Sequence, residues 1–334
     1  MALRLIEMVI QEKDGEEVVE LLKDHKLLEH RQIRLSDGEV LVRILLDAEQ
    51  SEAVLDVLGK RYAGKEGNRL VILAVEATLP RAEPEPADTP EQAAQEEKSQ
   101  ERISREELYE DIKDAADFSW VYIAMVVLST IVAAVGLYYD SVAIIIGAMV
   151  IAPLLGPNMA LSLATTLGDL SLLRSSILTA LAGIVTTMVL SVFIGMLLQV
   201  DPATPELASR NGVGMGDIAV ALASGCAGAL AFTAGAPTAL IGVMVAVALL
   251  PPLVAFGLLL GGGHLALAMG ALSLFLVNLF SINLAGVTTF LVQGIHPATW
   301  WEKDQAEKAT HTALMLWVGM LAVLIVLILL FQKS

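Results

Sequence analysis

The histidines and the cysteine, the side chains best suited to general acid–base, nucleophilic or metal chemistry, are few and scattered. There are five histidines and one cysteine. His25 and His30 have no cysteine or carboxylate array at ligand spacing, so they read as surface residues rather than metal ligands. His264, His296 and His311 fall near loops, and Cys226 sits alone in an apolar run, which excludes a disulfide within the chain. No Ser-His-Asp order, His-Glu-x-x-His or Cys/His cluster occurs, and Tyr62-Ala-Gly-Lys-Glu-Gly is too short for a phosphate loop. Asp140, Asp169 and Asp217 lie at the ends of apolar stretches, where a helix-start acid is the ordinary reading. A proton-coupled carrier would hold an acid or histidine in mid-span, because a buried ionisable group is kept only for function. The chain is therefore expected to be no enzyme and to need neither a cofactor nor a metal.

What remains is backbone and small polar groups inside apolar stretches. Pro153, Gly156 and Pro157 interrupt 141–168, and Pro251 and Pro252 interrupt 237–262. A proline removes a backbone donor and clashes with the carbonyl one turn earlier, so each stretch is expected to form two half-helices around a break. In hydrocarbon the freed carbonyls and amides need protein, water or a solute, and such breaks line ion and substrate sites. Asn158, Ser162, Thr165 and Thr166 follow the first break, and Asn278, Ser281 and Asn283 lie in a later span expected to face Thr186 and Thr187. Such residues either line a pathway or hold helices together, and for the serines and threonines both readings stand. The expected pathway comprises Pro153, Gly156, Pro157, Asn158, Ser162, Thr165, Thr186, Pro251, Pro252, Asn278, Ser281 and Asn283. Both breaks are expected to meet near mid-membrane, with Asn158, Thr165, Thr186, Asn278 and Ser281 around one cavity. Without a buried carboxylate, half-helix amides favour an anion or a polar neutral solute.

The elements that must position these groups follow from hydropathy. The chain has 334 residues, 55% of them hydrophobic, with mean hydropathy +0.67. Spans are expected at 120–138, 141–168, 173–198, 217–234, 237–262, 265–292 and 313–331. Ile146–Pro157 (IGAMVIAPLLGP) and Ile241–Pro252 (IGVMVAVALLPP) lie 95 residues apart and share seven of twelve positions. Three spans per copy would place the copies upside down relative to each other, so two inverted repeats are expected, 120–198 and 217–292, with a seventh helix outside them.

Ahead of the spans, residues 1–79 carry 16 acids and 11 bases, and the alternating strand and helix patterns in βαββαβ order predict a ferredoxin-like domain. Residues 80–103 are a proline- and glutamate-rich linker expected to be disordered, and Ser104-Arg-Glu-Glu107 opens an amphipathic helix over 104–119. The formal net charge of −16 argues against nucleic acid as a partner. The first residues lack the apolar core of a cleavable signal. Basic residues near the spans (Arg102, Arg105, Lys113, Arg174, Lys303, Lys308) place the N-terminus in the cytoplasm of a cell whose inner or plasma membrane the protein crosses.

The paired motifs, followed by Asn158 and Gly168-Asp169, resemble a bacterial and archaeal membrane family, domain-of-unknown-function family 389. The resemblance covers about residues 1–292 and brings no substrate or site residues. The expected function is a membrane channel or secondary transporter for a small ion or polar solute, a homo-oligomer tuned by its cytoplasmic domain. The alternative is a non-transporting sensor or scaffold that signals through that domain.

Overall fold

A computed structural model describes residues 3–35, 38–62, 69–75, 78, 103–198, 200–236, 238–295 and four isolated positions beyond 314. The expected linker up to 102 and the expected seventh span lie, but for those positions, outside the described residues. Contacts divide the chain into two units, Met1–Leu108 with Thr233–Gly235, and Tyr109–Phe232 with Ala236–Ser334.

The first unit holds β1 (Leu3–Gln11), α1 (Gly15–Leu21), β2 (Glu29–Arg34), β3 (Glu39–Asp47), α2 (Ala48–Tyr62) and β4 (Leu70–Val75). Apolar residues alternate along β1 and β3, so one sheet face carries Ile6, Met8, Ile10, Val42, Ile44 and Leu46. Val18 and Leu22, and Val54, Leu58 and Tyr62, close that face from the two helices. The strand order is β2-β3-β1-β4 with every pairing antiparallel, and Gly38 takes the left-handed φ of +75° that the β2–β3 turn requires. The first turn of α3 (Arg105–Ala116) also belongs here. Its Ser104 Oγ accepts from the Glu107 amide at 3.2 Å, but the Glu107 carboxylate does not complete a capping box. It receives both arms of the buried Arg4 guanidinium instead, at 2.8 and 2.9 Å.

The second unit is helical: α4 (Trp120–Tyr138), α5 (Val142–Ile151), α6 (Leu155–Leu167), α7 (Leu170–Leu197), the short α8 (Pro205–Ala208), α9 (Met215–Thr233), α10 (Thr238–Gly261) and α11 (Leu265–Val292). Five of these are long and apolar enough to cross a membrane, and α5 with α6 makes a sixth if the bent pair counts as one span. The window of α10 is 78% buried and that of α7 only 22%, so α10 is the inner column and α7 an outer one. α10 packs on α4, α5, α7 and α11, while α6 packs on α7 and α11.

One expectation fails here. The first proline stretch does break, with residues 152–154 non-helical and a 54° bend between α5 and α6. The second does not: α10 is one helix with Pro251 and Pro252 inside it. The absent Pro252 amide leaves the Ala248 carbonyl, four residues back, without its helical donor. Asn278 Nδ2 of α11 donates to that oxygen at 2.8 Å. A neighbouring helix thus satisfies one of the two carbonyls that the prolines free, Ala248 and Val247, and the helix continues.

Candidate functional site

The break lies where α5 ends at Ile151 and α6 begins at Leu155. The first turn of α6 leaves the Leu155 and Gly156 amides without intrahelical partners, and Pro157 has none to offer. Asn158 turns its side chain back on this turn, with Nδ2 donating to the Leu154 carbonyl at 2.7 Å. Its Oδ1 accepts from Asn283 Nδ2 of α11 at 3.0 Å, and the Ser162 hydroxyl lies 3.3 Å from both oxygens of Asn283. Asn158, Ser162 and Asn283 thus form one buried, mutually bonded cluster joining α6 to α11.

The end of α3 closes over the same turn. The Ala115 carbonyl stands where a side chain on Gly156 would be, so only glycine fits. At the other end of α6, the Tyr109 hydroxyl donates to Asp169 Oδ2 at 2.8 Å, while Asp169 Oδ1 caps α7 through the Ser171 and Leu172 amides. Burial pulls the Asp169 carboxyl up, but the Leu172 amide, the Tyr109 hydroxyl and Ser171 outweigh it and hold the group below its usual range. Tyr109 is pushed up to about 12, first by burial and then by its bond to Asp169.

Beside the break is a cavity of about 20 Å³ lined by Tyr122, Leu154, Pro157, Asn158, Ala180, Ile184, Leu249, Leu253, Phe275 and Leu279. That is room for one water-sized group. Eight of these residues form four pairs at the spacing of the duplicated motif, 95 residues: Leu154 with Leu249, Asn158 with Leu253, Ala180 with Phe275 and Ile184 with Leu279. Helix contacts repeat at the same spacing. The Thr130 hydroxyl of α4 donates to Thr187 of α7 at 3.2 Å, and Gly225 of α9 meets the Ile282 backbone of α11, each residue 95 further on. Between the copies the contacts exchange: Ser162 of α6 sits against Gly286 of α11, and Gly257 of α10 against Ser191 of α7.

Of the expected pathway residues, Pro157 and Asn158 line the cavity, Pro153 and Gly156 form the break behind it, and Ser162 and Asn283 belong to the bonded cluster. Pro251 and Pro252 adjoin the lining residues Leu249 and Leu253 without breaking their helix. Thr165 bonds the Leu161 carbonyl of its own helix, Thr186 is half-buried on α7, and neither lines the cavity. Nor do Asn278, held to α10, and Ser281, whose buried hydroxyl has no partner among the described residues. Thr187 bonds α4 and not the asparagines of α11. Sequence reasoning missed Tyr122, whose buried hydroxyl also has no partner among the described residues, and Leu253. The available signals were a tyrosine one turn into a span, and the residue aligned with Asn158.

Apolar helices in this number, with polar residues turned inward on one another, mark a multi-pass membrane protein. The domain of unknown function DUF389 matches residues 149–284. The chain is 40% identical over 287 residues to MJ0678, an uncharacterised protein of Methanocaldococcus jannaschii, covering 86% of this chain and 87% of that one. It belongs to the DUF389 family. No solved structure matches it.

Proposed function

We propose that the protein is a channel or secondary transporter that carries a small ion or polar solute across the inner or plasma membrane. The observation that carries this reading is the central cavity, walled by four residue pairs at the spacing of the duplicated motif. Contacts that exchange between the copies, Ser162 with Gly286 and Gly257 with Ser191, are what a pseudo-twofold axis generates, and the cavity would lie on that axis. If α5 and α6 cross as one span, each copy has three crossings and the axis lies in the membrane plane, the inverted-repeat design whose substrate sites sit at the repeat interface. The N-terminal unit has the strand order and two-helix backing of a ferredoxin-like module, and we assign it a cytoplasmic regulatory role. The exposed flank of α7 suits a homo-oligomer contact or lipid.

A second reading, a non-transporting sensor or scaffold, draws on the same cavity. Its walls are mostly leucine, isoleucine and phenylalanine, and the asparagines beside it are spent on each other and on backbone. Flux into liposomes holding the full chain, measured over a panel of ions and small solutes, separates the two. Transport predicts uptake above protein-free liposomes for at least one class, and reduced uptake when Asn158 is replaced by Leu with expression and oligomer size unchanged. A scaffold predicts no flux with either protein.

A further inference from the structure

The polar groups around the cavity distinguish one class of solute. Two oxygens beside the break are already engaged, since the Leu154 carbonyl takes Asn158 Nδ2 and Asn158 Oδ1 takes Asn283 Nδ2. A bare cation must replace its hydration shell with several oxygens, and the side chains of the lining offer only the Tyr122 hydroxyl beyond the engaged Asn158 amide. No carboxylate, ammonium, guanidinium or imidazole lines the cavity either. An anion would meet a single hydroxyl among apolar walls, too few donors to offset its lost hydration.

Two unpartnered groups stand at matched places. The Tyr122 hydroxyl, on a side chain 5% exposed, occupies the space that a side chain on Gly183 would fill. The residue 95 positions after Gly183 is Asn278. Its Nδ2 is held by Ala248, next to the lining residue Leu249, while its Oδ1 has no partner among the described residues. The two copies therefore place different side chains into equivalent positions, a hydroxyl that can donate in one and an amide oxygen that accepts in the other. Ser281, three residues on along the same face of α11, adds a second unpartnered hydroxyl on that side.

We infer that the solute of this pathway is small and uncharged, accepting a hydrogen bond from the buried Tyr122 hydroxyl in the cavity wall, with water and ammonia as members of its class. The inference rests on the transport reading and narrows its substrate. A guest of this kind fits the 20 Å³ space and crosses apolar walls without shedding a charge's hydration.

The test uses the full chain in liposomes and four probes: water by osmotic shrinkage, ammonia by internal pH, and potassium and chloride by tracer uptake. Water or ammonia is expected to cross faster than in protein-free liposomes, and both ions are not. Tyr122→Phe is expected to lower the neutral flux roughly tenfold, the worth of one good hydrogen bond, while the melting temperature stays put because the hydroxyl bonds nothing in the protein. Potassium or chloride uptake, or a Tyr122→Phe protein as fast as the parent, overturns this inference and leaves transport standing. Liposomes in which none of the four crosses faster than the control overturn this inference, and the transport reading falls with it only if the wider panel of ions and solutes is also excluded.

Discussion

In the first copy of the proline motif, α5 stops at Ile151, residues 152–154 leave the helix, and α6 departs at 54°. In the second copy, α10 runs through Pro251 and Pro252 unbroken. The aligned residues explain the contrast. Each copy has two prolines, one of them shared (Pro157 and Pro252), but the first copy's other proline, Pro153, stands a turn ahead of it where the second copy has Ala248, while the second copy's, Pro251, stands directly beside it. Gly183 stands where the second copy has Asn278, so the first copy also lacks the amide that satisfies the carbonyl freed in the second. Gly156, aligned with Pro251, then accepts the Ala115 carbonyl against its bare Cα. A proline by itself does not decide whether a membrane helix breaks; a donor from the next helix helps carry the helix through.

The largest effect should come from closing the gap at the first copy's glycine. Gly156→Ala puts a methyl group onto the Ala115 carbonyl, a backbone atom that cannot rotate away. A loss of about 3 kcal/mol or more is expected, seen as a steep drop in melting temperature in detergent. A near-normal melting temperature would mean that α3 does not seat there.

The donor argument is sharpened by Asn278→Leu, which strands the Ala248 carbonyl and should cost about 1–2 kcal/mol. Adding Pro252→Ala restores a backbone amide to that oxygen, so the double variant should recover most of the loss. Strictly additive losses would refute the explanation for the unbroken helix.

The copies also differ at the cavity, with Asn158 on one side and Leu253 at the equivalent place. Leu253→Asn makes the pair alike and admits water to an apolar constriction, so flux should rise, by roughly tenfold if desolvation at this point limits passage. Unchanged flux would place the constriction elsewhere.

The smallest effect is one of pH, at the Tyr109–Asp169 pair beside the end of α6. The Asp169 carboxyl is held below its usual range, so its contribution is full above the ordinary carboxylate value and is lost as pH falls through the lower, folded value. Tyr109 is held up to about 12, so its contribution is full below the ordinary tyrosine value and is lost as pH rises toward that figure. Melting temperature against pH should fall at both extremes, and Tyr109→Phe should flatten both shoulders. An unaltered profile would show that the bond contributes nothing.

Much of this was legible in the sequence. Helices over Trp120–Tyr138 and Leu265–Val292 begin and end where hydropathy places them, since an apolar run between polar ends fixes a span by itself. Period-2 alternation in Leu3–Gln11 and Glu39–Asp47 gave the strands of the N-terminal sheet. The break at Pro153 was legible too, being local. The continuity of α10 was not, because the residue responsible is Asn278, on another helix. Nor could spacing show that Asn283 faces Asn158, or that Tyr122 fills the place of a side chain missing from Gly183.

The bond from Asn278 to Ala248 also has a consequence for biogenesis. Ala248 leaves the ribosome 30 residues before Asn278, so α10 emerges with a carbonyl that its own sequence cannot satisfy. Released alone into lipid, it would carry that unpaired group at mid-depth. The helix should therefore wait in the insertion machinery, or at the wet edge of the bilayer, until α11 is made, and the two should enter as a hairpin. Truncation between the two helices would then leave α10 poorly inserted, although its window is the most apolar of the candidate spans among the described residues.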